Sequence, residues 1–262
     1  MAIDSFKGSM TWLEAGGAVK DALLRVDPNA EAKVLPLADG GEGTVAAMCA
    51  GLGGEMVEAE VTGPLGERVT AKYCIVNGST AVIEMAEAAG LTLVPPEMRD
   101  PMFTTTYGVG ELILNAIARG CRSFIVGIGG SATNDGGVGM LSSLGFEFFD
   151  KDGHNIARGA YGLDALASIS AANACPELKD CTFRVACDVD NPLCGARGCS
   201  AVYGPQKGAT PESVVIMDGW LGRYAEMAKG VFPNADPEYP GSGAAGGLGF
   251  AFMTFLAASL ES

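Results

Sequence analysis

Two glycine-rich acidic loops carry the residues best suited to chemistry. Residues 38–43 read Ala-Asp-Gly-Gly-Glu-Gly, and residues 127–137 read Gly-Ile-Gly-Gly-Ser-Ala-Thr-Asn-Asp-Gly-Gly. Each follows an apolar, strand-like run and leads into a helix-like one, the place where backbone amides commonly grip anions. In the second loop Gly129 and Gly130 let an anion approach the amides without Cβ interference, while Ser131, Thr133 and Asn134 add hydroxyl and amide donors. Asp135 stands next to this cradle. A carboxylate beside phosphate is repulsive unless a cation intervenes, so Asp135 is a candidate Mg²⁺ ligand; a helix cap in a tight turn is the plainer account of it. Asp39 and Glu42 repeat the arrangement in the first loop, where helix capping explains Glu42 better than Asp39.

A third cluster, Asp188-Val189-Asp190-Asn191-Pro192, sets two carboxylates at strand period two, on one side of the chain. Two such groups repel unless a metal, a cation or a shared proton relieves them, so Asp188 and Asp190 read as a Mg²⁺ or general-base pair, with an Asp-Asn-Pro turn as the structural alternative. Basic residues are scarce, which draws attention to Lys7 and Lys207. Each borders a glycine in a polar turn, where an ammonium could meet a phosphate or carboxylate as a point charge. Thr104, Thr105 and Thr106 before a helical run offer further hydroxyls, or ordinary caps. The chain has no GxxxxGK[ST] run, no protein-kinase catalytic set and no GxSxG elbow.

The elements that position these residues follow from hydrophobic period. Runs rich in β-branched residues predict strands at 32–37, 57–62, 69–76, 81–85, 123–128 and 182–187. Apolar recurrence at three and four predicts helices at 10–25, 42–52, 108–119, 136–144, 212–229 and 244–260. The alternation argues an α/β fold with a largely parallel sheet. Strands 57–62 and 69–76, joined by Gly63-Pro64-Leu65-Gly66, form a hairpin that suggests a second subdomain, with a ligand cleft at the junction.

Bulk properties bound the partners. The 262 residues are 48% hydrophobic, enough for a substantial core. Seventeen Lys and Arg against 31 Asp and Glu give a net charge of −14, which repels nucleic acid and anionic lipid. Eight cysteines without a CxxC pair or a preceding secretory signal read as free thiols of a cytoplasmic protein. The uncharged stretch 240–260 raises the question of a membrane span. Its five glycines and lack of flanking basic residues favour a buried loop and helix.

In order along the chain, DSFKGS (4–9), ADGGEGT (38–44), VTGPLG (61–66), IEMAEAAGL (83–91), TTTYGVGELI (104–113), GIGGSATNDGGVGML (127–141), ACDVDNPL (186–193), YGPQKGA (203–209) and GAAGGLG (243–249) resemble the bacterial glycerate kinase family, the type I glycerate 2-kinases. The resemblance implies ATP-dependent phosphorylation of D-glycerate to 2-phosphoglycerate with Mg²⁺ in the cytoplasm. It also implies a two-domain fold: a Rossmann- or flavodoxin-like parallel-sheet domain from residues 1–53 and 240–262, incomplete here because family members extend further at both ends, and an inserted mixed α/β domain at 54–239. On this reading Lys7 and Lys207 neutralise phosphate or the glycerate carboxylate, and the amides of Gly129, Gly130 and Ser131 hold phosphoryl oxygens. Asp39, Asp135, Asp188 and Asp190 share metal ligation and handling of the acceptor hydroxyl. A homodimer is a further expectation. The competing readings are an inactive fragment that binds glycerate or nucleotide, and an aspartyl-phosphate phosphatase built on Asp188 and Asp190.

Overall fold

The computed structural model describes residues 1–3, 10–36 and 43–261. Lys7, Asp39 and Glu42 therefore lie outside the described residues. Ahead of the main sheet come β1 (Ala2–Ile3), α1 (Trp12–Val26), β2 (Leu35–Pro36) and α2 (Thr44–Leu52). β1 and β2 pair in parallel as a small separate sheet. α1 begins on a capping box: Thr11 Oγ1 accepts the Glu14 amide at 3.2 Å, and the Glu14 carboxylate accepts the Thr11 amide at 2.8 Å.

The main sheet has six strands. β3 (Glu55–Thr62), β4 (Arg68–Val76) and β5 (Thr80–Glu84) form two successive hairpins, and β6 (Ser123–Gly127), β9 (Thr182–Ala186) and β10 (Ser259–Glu261) extend β5 in parallel, in the order β10-β9-β6-β5-β4-β3. The second hairpin turns through Asn77 (φ 52°) and Gly78 (φ 67°), residue types that tolerate the left-handed region. The predicted α/β class and the strands from 57 to 187 are present to within two residues at each end, whereas among the described residues of the run at 32–37 the strand is Leu35–Pro36. The segment 244–260 is corrected at its end. Helix α8 (Ala244–Leu256) stops at Ala257 (φ 50°), and the chain then forms β10 along the edge of β9.

Both faces of the sheet are covered, which explains the nearly continuous apolar runs of its central strands. Ala81, Ile83, Phe124 and Val126 face one large core with α4 (Tyr107–Ala118), α5 (Val138–Ser143), α7 (Pro211–Val231) and α8. Val82, Cys74 and Val76 face the other way, onto Val45 and Cys49 of α2. Short elements complete the layers: α3 (Ala86–Ala89), the antiparallel pair β7 (Glu147–Phe149) and β8 (Ser168–Ser170), and α6 (Cys199–Tyr203). Residues 240–261 thus share the sheet and core of residues 54–239, and the boundary expected at 239/240 marks no break in either.

The expectation of free thiols is corrected for one pair. Cys49 on α2 and Cys74 on β4 form a disulfide, with Cα atoms 5.8 Å apart; the other six cysteines are free. α2 crosses β4 so that two buried thiols separated by 25 residues meet, a pairing that no local spacing announces. Among the described residues no helix is long and apolar enough to cross a membrane.

Candidate active site

Strands β5, β6, β9 and β10 run in parallel, so their carboxyl ends share one edge of the sheet, where α/β folds bind ligands. Gly127 pairs with Ala186 across β6 and β9. The glycine-rich loop and the Asp188 loop therefore leave adjacent strands at the same level, about 4.8 Å apart.

The first half of the glycine-rich loop is open. Gly129 and Gly130 are exposed, and Gly130 takes φ +73°. The Gly130 carbonyl accepts the Leu91 amide at 2.8 Å, and Ser131 forms a bridge with Gly90. The second half is sealed. Thr133, Asn134 and Asp135 have no exposed surface. Asn134 Nδ2 donates to Ser200 Oγ at 2.8 Å, while Thr133 Oγ1 and Asn134 Oδ1 are buried with no hydrogen-bond partner among the described residues. The five residues expected to bind nucleotide thus divide into the exposed Gly129 and Gly130, the buried Ser131, and the fully enclosed Thr133 and Asn134.

Asp135 is the fastening point of the enclosed half. Its Oδ2 accepts the Thr106 amide at 2.9 Å, the Thr106 hydroxyl at 2.8 Å and the Gly139 amide at 3.2 Å; its Oδ1 accepts the Gly137 amide at 3.1 Å. One carboxylate thereby caps the starts of both α4 and α5. Burial pushes its carboxyl above the ordinary range while the Thr106, Gly137 and Gly139 donors pull it back. With both oxygens engaged and no solvent access, Asp135 does not fit the metal-ligand role expected of it. Across from it, α8 opens with three successive left-handed residues, Ala245, Gly246 and Gly247. The Gly246 carbonyl accepts the Gly136 amide at 2.9 Å, and a Cβ at Gly246 would stand 2.0 Å from the Thr133 carbonyl oxygen.

Lys207 departs from its expected setting. It is 2% exposed, not a solvated loop residue, and its Nζ donates to the Thr133 carbonyl at 2.7 Å. Burial lowers its pKa from 10.5 to about 8, with the Cys199 and Asp135 charges acting in the opposite sense. Its charge therefore lies under the glycine-rich loop, applied through the backbone of Thr133.

Asp188 and Asp190 are both exposed, on the loop just past the end of β9. Asp190 pairs with Arg197, whose Nη2 lies 3.0 and 3.1 Å from its two oxygens. Among the described residues no hydrogen bond or ion pair engages Asp188. Asn191 fixes the loop: its Oδ1 accepts the Tyr203 hydroxyl at 2.6 Å, its Nδ2 donates to the Arg197 carbonyl at 2.8 Å, and its own carbonyl accepts the Gly243 amide at 2.9 Å. Burial, followed by the charges of Asp188, Cys187 and Asp190, raises the Tyr203 phenol pKa, which places both carboxylates near that ring.

Among the described residues no three His, Cys, Asp or Glu side chains form a preset metal cluster. The donor chemistry of Asp188 and Asp190 nevertheless fits Mg²⁺, which usually keeps several waters and takes only one or two carboxylates plus substrate phosphates. Sequence reasoning did not single out Arg197, Tyr203 or Glu84. Glu84 carried a usable signal, being a carboxylate at the end of an apolar strand.

The sequence model of the glycerate kinase family matches residues 1–262. The Escherichia coli (strain K12) "Glycerate 2-kinase" is 49% identical over all of this chain and 69% of its own length. The Bacillus subtilis (strain 168) "Glycerate kinase" is 47% identical, again over all of this chain and 69% of its own length. A crystal structure of a "putative glycerate kinase 2" from Salmonella typhimurium LT2 superposes with a TM-score of 0.92 at 48% identity, covering 99% of this chain and 70% of that one.

Proposed function

The chain belongs to the glycerate kinase family, enzymes that act as kinases on glycerate, and from that premise we propose that it transfers the γ-phosphoryl group of ATP to the 2-hydroxyl of D-glycerate, giving 2-phosphoglycerate, with Mg²⁺. The observation that carries this reading is the register of β6 and β9. It sets the exposed Gly129 and the carboxylate-bearing Asp188 each two residues beyond the paired Gly127 and Ala186 on neighbouring parallel strands. Backbone donors for phosphoryl oxygens and a hard oxygen ligand for a cation thus leave the sheet side by side.

In this scheme the amides of Gly129, Gly130 and Ser131 hold phosphoryl oxygens. The buried Lys207 ammonium adds positive potential from beneath through the Thr133 carbonyl it grips. Asp188 and Asp190 are the residues that would hold Mg²⁺, with Arg197 orienting Asp190. The ion, when bound, offsets charge between the phosphates and the transferring group. Lys7 neutralises a phosphate or the glycerate carboxylate, and Asp39 orients or deprotonates the acceptor hydroxyl. The protein's contribution is positioning and charge, since phosphoryl transfer needs little covalent work from side chains.

The test is an assay of Asp188→Asn beside the unsubstituted protein, with ATP, Mg²⁺ and D-glycerate and with ³¹P NMR to identify the product. The reading expects 2-phosphoglycerate and a kcat reduced by about 10²-fold or more. Unchanged turnover removes Asp188 from the reaction, and a 3-phosphorylated product overturns the assigned acceptor.

A further inference from the structure

Glu84 ends β5 with only 5% of its surface exposed. One of its oxygens accepts the Val45 amide at 2.6 Å and the other accepts the Gly43 amide at 3.3 Å. Gly43 is the N-cap of α2 and Val45 lies in its first turn, so the carboxylate satisfies donors that the helix leaves unpaired and sits at the positive end of the helix dipole. A buried carboxylate is costly unless donors compensate it. Here the donors belong to a segment 39 and 41 residues earlier in the chain. The location is specific as well. Glu84 pairs in register with Gly127, where the glycine-rich loop begins. Gly43 is only four residues beyond Asp39.

We infer that Glu84 is a positioning residue: its carboxylate fixes the start of α2, four residues beyond Asp39, to the carboxyl edge of the main sheet, beside the glycine-rich loop. One side chain thereby ties the start of α2 to the end of β5. The inference deepens the proposed function and rests on its assignment of Asp39 to the acceptor hydroxyl.

Glu84→Gln tests it. The substitution keeps the shape and one acceptor oxygen. With that oxygen on the Val45 amide, the new NH₂ group faces the Gly43 N–H, donor against donor. Hydrogen–deuterium exchange of the full chain is expected to speed up about 10-fold or more over residues 43–49, with α4 and β6 unchanged, because a hydrogen bond to a charged group is lost. Glu84→Asp keeps the charge on a shorter stem and is expected to recover part of the protection; it also serves if the Gln variant does not fold. On the kinetic side, kcat is expected to fall about 10-fold or more with KM for ATP unchanged, and Glu84→Gln is expected to add nothing in an Asp39→Asn background. Unaltered exchange over 43–49 overturns the anchor. Faster exchange with a kinetic loss that adds fully to that of Asp39→Asn also overturns it, since Glu84 would then merely stabilise the fold. Full activity of Asp39→Asn alone refutes instead the role given to Asp39, while the exchange measurement still decides whether Glu84 holds the start of α2.

Discussion

Replacing Lys207 by Met removes a buried charge and keeps most of the side-chain volume. In the folded protein the ammonium has a pKa of about 8, against 10.5 in an exposed setting. At 1.36 kcal/mol per pH unit, the charged form is disfavoured in the native state by about 3 kcal/mol. The sign follows from proton counting. Between about pH 8 and 10.5 the unfolded chain holds the proton and the folded chain releases it, so the native protein gains stability as pH rises through that window. Below about pH 8 both states are protonated, and the full penalty of the buried charge is present. Lys207→Met has no such group. Urea unfolding of both proteins at pH 7, 8, 9 and 10.5 is therefore expected to show the unsubstituted protein gaining about 3 kcal/mol relative to the variant, with a slope near 1.4 kcal/mol per pH unit in the middle of the range. Cysteines and tyrosines also titrate there, and all but Cys199, whose thiol feels the Lys207 charge, cancel in the difference. Stability curves that run parallel across this range would mean that Lys207 is hydrated or firmly ion-paired, against the burial described. If its charge also serves phosphate binding, the variant loses activity even where it gains stability.

Two further outcomes follow from the same loops. Asp135→Asn converts one of two fully engaged oxygens into a donor facing an N–H, and is expected to cost about 1–3 kcal/mol in chemical denaturation; a change below about 0.5 kcal/mol would mean that the Thr106, Gly137 and Gly139 bonds contribute little. Gly246→Ala places a methyl 2.0 Å from the Thr133 carbonyl oxygen at a residue with φ +70°. It should lower Tm by several degrees, a loss of about 1–3 kcal/mol, and an unshifted Tm would show that the left-handed start of α8 is readily rearranged.

The fold was legible where a strand is long and buried. Runs such as 81–85 and 123–128 announce themselves because both faces of the sheet are covered and nearly every position is apolar. The three-residue strands β7, β8 and β10 are too short to show a period, and β10 follows α8 with only Ala257 and Ala258 between, so one apolar stretch reads as one helix. The site was legible in its parts and not in its roles. Asp188 and Asp190 stand out in the sequence as a pair of carboxylates two residues apart, but Asp190's partner Arg197 comes from a glycine-bordered turn without any periodic signal. Lys207 reads as a surface residue because its turn is polar, yet it is buried, with its ammonium on the Thr133 carbonyl of the glycine-rich loop. Asp135 looks like a phosphate-site ligand until Thr106, 29 residues upstream, claims its oxygen. Such pairings depend on tertiary neighbours, which a local window does not contain.

The four-way fastening of Asp135 has a consequence for how a ligand is received. The residues behind Gly129–Ser131 acquire their backbone path as the protein folds, held between the starts of two helices and the turn that opens α8. An incoming anion then meets a receptor already in shape, and the conformational entropy of ordering that wall is absent from the binding free energy.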